Sequence, residues 1–345
     1  MRSLAWTPDG CALAVGWSNG WSLWSSSGRL LGSAVRERDD GPAATGGLEA
    51  AGEDWFHKGV CDLGWIGGGL ELVLLARSTG RLFIQPVAKS SFTTLPTPSA
   101  TLYPLLLTPG ALLLSPVASL PSSTYLSTLH SLPSSFVTVP LPAAYNPYQY
   151  PIRYATVSDD GRLVAVAGTR GFATWSRTSG RWKVFEREEE EEAFRVRGGM
   201  CWFLHVLVVG VEEAGRHYVR LASGGRLAET MAGTLILPPA YPQLRLYSRD
   251  DDLTATSHLS SVPLPAPIQL LSLHDNSLLL YTTANNFYHF LIVPTADAVE
   301  LRLCGSISFE GVVDVPGRVR AMSWLIPLAQ KSQFTYPPSA KRRRY

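Results

Sequence analysis

An all-β chain, built as a β-propeller of WD type with four-stranded blades, is the fold that this sequence predicts. Three observations predict it. The chain repeats itself 151 positions apart, Asp-Gly corners recur between short apolar runs, and strand-sized segments follow one another from end to end.

The repeat is the strongest of the three. Arg2-Ser-Leu-Ala-Trp-Thr-Pro-Asp-Gly10, then Cys11-Ala-Leu-Ala-Val-Gly16 and Trp21-Ser-Leu-Trp24, has a counterpart in Arg153-Tyr-Ala-Thr-Val-Ser-Asp-Asp-Gly161, Arg162-Leu-Val-Ala-Val-Ala167 and Phe172-Ala-Thr-Trp175. Asp9 falls on Asp160, Gly10 on Gly161 and Trp24 on Trp175. Asp-Gly between apolar runs supplies the positive φ angles of a tight two-residue hairpin. The unbroken run Ala12-Leu-Ala-Val15 suits an inner strand covered on both faces. Trp24 and Trp175 end the third strand of each unit, where a large ring fills the wedge between neighbouring blades. One blade cannot bury both of its faces, so several must stack around an axis.

Further strand sets follow in order. Val60–Trp65, Glu71–Ala76 and Arg81–Ile84 form one, and a Pro/Ser-rich stretch over 95–142 holds several short strands with poorly defined turns. After the second copy come Gly198–Val209, His217–Leu221, Leu244–Tyr247, Ile268–Leu273, Ser277–Tyr281 and Asn286–Ile292. Arg320-Ala-Met-Ser-Trp324 echoes Arg2–Trp6 and reads as the start of another blade. The structural blade motif is therefore Trp6, Asp9, Gly10, Trp24, Asp160, Gly161, Trp175 and Trp324. Blades are expected over 1–325, as an incomplete ring or as parts of two rings. Loop insertions are expected near 36–52 and 186–193, the latter carrying the acidic run Glu186–Glu192, read as a solvated loop. Residues 326–345, ending Lys341-Arg-Arg-Arg344, read as a disordered basic tail.

Composition bounds the function. Of 345 residues 46% are hydrophobic and 17% charged, enough for a sizeable core, and a net charge of +2 gives no reason to expect nucleic acid. Cys11, Cys61, Cys201 and Cys304 lie far apart without metal-ligand spacing and read as reduced thiols. Proline interrupts the most apolar windows before they reach the roughly 18 to 20 residues of a membrane span, and the reading is a soluble protein. Gly16-Trp-Ser-Asn-Gly20 matches the nucleophile elbow of serine hydrolases, but a strand-like segment follows it and its repeat partner lacks the serine, so a hairpin turn is expected. The seven His show no metal-binding pattern, Gly64–Gly69 lacks the Lys-Ser/Thr of a phosphate loop, and Arg249–Asp252 lacks calcium-loop spacing. No catalytic residue and no cofactor is expected.

Several segments resemble the Ric-one family, large subunits of the Ric–Rgp guanine-nucleotide exchange factor complex. Arg2–Trp17 with Gly20–Trp24 is similar to a family blade. Pro151–Tyr154, Gly161–Gly168, Gly171-Phe172 with Trp182–Phe185, and Gly198–Trp202 resemble a second family segment, and His274–Tyr281, Phe287–Phe290 and Gly317–Trp324 a third, in family order along the chain. The resemblance implies a non-catalytic propeller scaffold that acts in a complex with an Rgp-type partner subunit on a Rab-six-class small GTPase. It implies Golgi retrograde traffic, a cytoplasmic protein at the peripheral Golgi membrane through its complex, and no nucleic-acid partner. The chain is far shorter than a family member and looks like a fragment of one. Two rival readings are a propeller adaptor of coat, tether or ubiquitin-ligase type without exchange activity, and a propeller enzyme with polar groups converging on the axis.

Overall fold

The computed structural model describes residues 1–35, 59–93, 95, 97, 103–115, 136–213, 216–222, 246–247, 260–294 and 299–322. Six antiparallel sheets form among them. Sheet 1 holds β1 (Ser3–Trp6), β2 (Ala12–Trp17), β3 (Gly20–Ser25) and β4 (Leu30–Ser33). Sheet 2 has three strands, β5 (Val60–Ile66), β6 (Glu71–Ala76) and β7 (Leu82–Pro86), one fewer than the expected blade. Sheet 3 holds β8 (Lys89–Ser90), β9 (Leu105–Leu107), β10 (Ala111–Leu114) and β11 (Val137–Pro140). A four-residue helix α1 (Asn146–Gln149) leads into sheet 4, made of β12 (Tyr154–Val157), β13 (Leu163–Ala167), β14 (Ala173–Ser176) and β15 (Arg181–Lys183). After helix α2 (Glu188–Glu192), sheet 5 runs β16 (Phe194–Phe203), β17 (Val206–Glu213), β18 (Arg216–Ala222), β20 (Ser260–Pro263), with β19 (Leu246–Tyr247) also paired to β17. Sheet 6 holds β21 (Ile268–His274), β22 (Ser277–Thr282), β23 (Asn286–Pro294) and β24 (Val299–Ser308). Strands follow chain order across sheets 1, 4 and 6, the meander of propeller blades.

The two copies of the repeat share one register. Leu13 pairs with Trp24 as Val164 pairs with Trp175, and Leu4 pairs with Val15 as Ala155 pairs with Val166. The Asp-Gly corner, however, is not a two-residue hairpin. Five residues join the strands in both copies, Thr7–Cys11 and Ser158–Arg162. Gly10 and Gly161 each take φ 68°, whereas the aspartates do not have positive φ. A β-turn closed by a left-handed glycine makes the corner, so the Asp is free to use its side chain as a hydrogen-bond acceptor.

Burial follows the alternation of the strands. In β13, Val164 and Val166 pack toward sheet 3, while Leu163, Ala165 and Ala167 pack toward sheet 5. In β17, Leu207, Val209 and Val211 join the core with sheet 4, and Val206 and Val208 join the core with sheet 6. Sheets 3 to 6 are thus a continuous stack with an apolar seam at each step. Sheets 1 and 2 form a second stack around Ala14, Leu23, Val60, Leu72 and Leu74. Among the described residues no apolar cluster joins sheet 6 to sheet 1. Leu70, from the turn of sheet 2, is instead inserted into the core between sheets 3 and 4.

Two expectations need correction. Trp175 is 8% exposed and fills the seam of sheets 3 and 4, but Trp24 is only half-buried and lies outside the apolar clusters of the described residues. The acidic run is not wholly a solvated loop, since α2 carries Glu191 inward until 7% of it is exposed. Trp324, the insertion at 36–52, all of 116–135 and the tail at 326–345 lie outside the described residues.

Candidate interaction surfaces

The corners predicted by the repeat are fixed by the same hydrogen bonds in both copies. Thr7 donates its hydroxyl to Asp9 Oδ1 at 2.6 Å, and Ser158 donates to Asp160 Oδ1 at 2.6 Å. The same carboxylate oxygens accept the backbone N–H of Cys11 and Arg162, each at 3.0 Å. The hydroxyls in turn accept the N–H of Ala12 at 3.0 Å and of Leu163 at 2.9 Å. The charge partners differ. Asp160 has the exposed Arg162 at 3.8 Å, whereas Asp9 is mostly covered and pairs with Lys89 of β8. Burial works to raise the Asp9 pKa, but hydrogen bonds from Lys89, Thr7 and Cys11 and the Lys89 charge bring it to about 2.

The corner of sheet 1 is therefore a point where the two stacks meet. A Cβ placed on Gly10 would lie 3.5 Å from a terminal nitrogen of Arg320, which follows sheet 6. Next to it, Tyr150 donates its hydroxyl to Glu71 Oε2 at 2.6 Å, and Pro151 lies against Gly68. Burial and the Glu71 carboxylate both hold the Tyr150 phenol above its ordinary pKa.

At the loops of sheet 4 a second network ties α1 and α2 to one hairpin. Tyr145 accepts the Gly168 N–H at 2.9 Å, and its hydroxyl lies 3.0 Å from the Arg170 carbonyl and 3.2 Å from that of Gly171. Gln149 accepts the Arg170 N–H at 2.9 Å and the Thr169 hydroxyl at 2.9 Å, and donates its amide to Glu191 Oε1 at 2.7 Å. Gly171, at φ 55°, leaves the space that Glu191 occupies; a Cβ there would be 2.5 Å from Glu191 Cγ. Burial, with smaller contributions from Glu188 and Glu192, raises the Glu191 carboxyl to about 7 against the opposing Gln149 hydrogen bond. Three segments are thereby tied together by side-chain hydrogen bonds.

Sheets 1 and 2 present apolar faces. On sheet 1, Trp6 is 54% exposed in a row with Leu13, Trp24 and Leu30. Trp17 and Trp24 both donate their indole N–H to Ser22 Oγ, at 2.6 and 2.8 Å. On sheet 2, a cavity of about 310 Å³ lies over Gly64, bordered by Ile66, Val73, Leu75 and Leu82.

The remaining sequence candidates fall where turns are needed. In Gly16–Gly20, Ser18 and Asn19 form the hairpin turn between β2 and β3, so the serine has no helix behind it. Gly67, Gly68 and Gly69 take φ of 59°, 68° and 91° in the tight turn between β5 and β6. Among the described residues no group of three or more His, Cys, Asp or Glu could hold a metal ion, and no helix is long and apolar enough to cross a membrane. No local motif marks Gln149 and Tyr145, whose partners lie 20 to 42 residues away.

Residues 112–342 match a protein family described as the RIC1 second beta propeller domain; the match begins within β10 and leaves sheets 1 and 2 outside it. The chain is 26% identical over 191 residues to the guanine nucleotide exchange factor subunit ric1 of Schizosaccharomyces pombe, covering 55% of this chain and 16% of that protein. It is 32% identical over 71 residues to the subunit RIC1 of Mus musculus, covering 21% and 5% of the two chains. With the Homo sapiens subunit it shares 28% identity over 109 residues, covering 29% and 8%. The aligned parts thus span 16% or less of the length of these relatives.

Proposed function

The chain belongs to the RIC1 second β-propeller family, and from that premise we propose that it serves as a propeller scaffold in a guanine-nucleotide exchange factor complex. The complex acts with an Rgp-type partner subunit on a Rab-six-class GTPase in Golgi retrograde traffic. The chain is cytoplasmic and reaches the Golgi membrane through that complex. The observation that carries this reading is the family match across sheets 4 to 6, the part of the chain with a continuous core.

Nucleotide exchange fits such a frame physically. A GTPase releases GDP when its switch segments are held in a conformation of lower nucleotide affinity, and differential binding supplies the energy without a covalent step. A stack with apolar seams and cross-braced loops, as in Tyr145, Gln149 and Glu191, holds such a surface without yielding. No residue of this chain is assigned a catalytic role.

The experiment is GDP release from the Golgi Rab, followed by fluorescent nucleotide, with the chain in its full complex and with the partner subunit alone. Faster release only when the complex is whole is the expected result. Equal release with and without the complex would retire the exchange reading in favour of an adaptor.

A further inference from the structure

At the corner end of sheet 4 two arginines face each other across neighbouring strands. Leu163 of β13 pairs with Ser176 of β14. One step further, the Arg177 N–H donates to the Arg162 carbonyl at 2.8 Å. Both side chains therefore leave the sheet on the side of Val164 and Trp175, which faces sheet 3. Arg177 bears this out, since its Nη2 donates to the Ser115 carbonyl, just beyond β10, at 2.9 Å. Arg181 opens β15 after a turn that Gly180 closes at φ 64°, and adds a third, exposed cation.

Like charges set directly opposite on a strand pair repel. Asp160 lies 3.8 Å from Arg162 with both side chains mostly in water, which offsets little. Ser115 offers Arg177 a neutral acceptor, which fixes the guanidinium without cancelling its charge. Among the described residues no carboxylate forms an ion pair with Arg177 or Arg181. The first copy of the repeat shows that the corner does not require these charges. There Ser26 donates its N–H to the Cys11 carbonyl at 3.0 Å, the same bond between the same two positions. A thiol and a hydroxyl stand in place of the two guanidinium groups. The arginines thus add repulsion where the fold needs none, and an anion between them turns it into attraction.

We propose that Arg162 and Arg177, flanked by Arg181, bind a carboxylate-rich segment of a partner protein. A guanidinium presents planar pairs of donors that match the two oxygens of a carboxylate, and Ser115 already orients that of Arg177. Charge selects this occupant over a lipid surface. Asp159 and Asp160 are exposed at the same corner and would meet an anionic bilayer together with the arginines. A single extended acidic segment lies along the arginines and passes the aspartates by.

Fluorescence anisotropy of a labelled oligoglutamate peptide, titrated with the whole chain, tests this, with oligoglutamine as the blank. Lys341→Ser, Arg342→Ser, Arg343→Ser and Arg344→Ser are carried in every chain, so that the tail offers no rival basic run. Oligoglutamate is expected to bind, less tightly as salt is raised, and oligoglutamine is not. Arg162→Ser and Arg177→Ser together are expected to weaken binding about tenfold or more. Arg29→Ser, which removes an exposed arginine from the matching turn of sheet 1, is expected to leave it unchanged. Far-ultraviolet circular dichroism reports that each variant is folded. No binding of oligoglutamate, a folded double variant that binds as before, or an equal loss with Arg29→Ser would each overturn the proposal. So would phosphatidylserine vesicles that bind the chain through Arg162 and Arg177 while the peptide does not.

Discussion

Gln149 donates its side-chain amide to the Glu191 carboxylate at 2.7 Å, joining two short helices that lie 42 residues apart in sequence. Glu191 titrates at about 7 instead of its ordinary 4.5, chiefly because burial disfavours the charged form. A carboxyl whose folded pKa is raised contributes stability below its unfolded pKa and loses it as pH climbs through the folded value. Stability is expected to fall between about pH 4.5 and 7 on account of this group. Glu191→Gln keeps the acceptor oxygen and removes the charge. Urea unfolding at pH 8 should find the variant more stable by about 1 to 3 kcal/mol, with the gain vanishing near pH 4. A gain independent of pH would show that the carboxyl does not titrate there.

Asp9 and Asp160 occupy equivalent corners but carry different loads. Asp9→Ala removes the ion pair with Lys89 and the acceptor for Thr7 and Cys11. It is expected to destabilise the chain by about 1 to 3 kcal/mol, against about 1 kcal/mol for Asp160→Ala, whose Arg162 partner is exposed. The Asp9 contribution is present above pH 3.8 and is lost as pH falls toward about 2. Chemical denaturation of the two variants side by side decides the ranking.

Tyr145 is fully buried with its hydroxyl in contact with Gly168, Arg170 and Gly171. Tyr145→Phe leaves the Gly168 N–H without its acceptor, at an expected loss of about 1 to 3 kcal/mol. Hydrogen exchange should quicken first in the hairpin at 168–171. Uniform acceleration over all sheets would place the effect in global stability alone.

The two tryptophans that end the third strand separate in the same manner. Trp175→Ala opens a cavity in the seam of sheets 3 and 4 and is expected to cost about 3 to 5 kcal/mol. Trp24→Ala, half-buried and outside the apolar clusters, is expected to cost less than half of that. Thermal melts of the pair supply the comparison, and equal losses would mean that Trp24 is covered as Trp175 is.

What could be read from sequence was what local chemistry dictates. The Asp-Gly corners, the register of both copies and the double burial of β13 follow from turn residues and from the unbroken run Leu163–Ala167. The division into two stacks was less visible. Glu71–Ala76 is as apolar as a strand covered on both sides, yet Val73 and Leu75 are only half-buried. An apolar side chain shows that a neighbour is suited to the site, not that one has arrived. Glu191 was hidden for a different reason. A run of glutamates gives no sign that one of them meets a glycine at 171 and an amide at 149, since those meetings are made by the folding of distant segments.

Leu70 gives the two stacks a mechanical relationship. It leaves the turn of sheet 2 and lies 1% exposed in the core shared by sheets 3 and 4, as a peg does in a socket. Swinging one stack away from the other would draw that peg into water, at about 1.5 to 3 kcal/mol for a leucine side chain. A pull exerted on sheets 1 and 2 is then carried to the seam between sheets 3 and 4 by Leu70, alongside the Tyr150–Glu71 hydrogen bond and the Asp9–Lys89 ion pair.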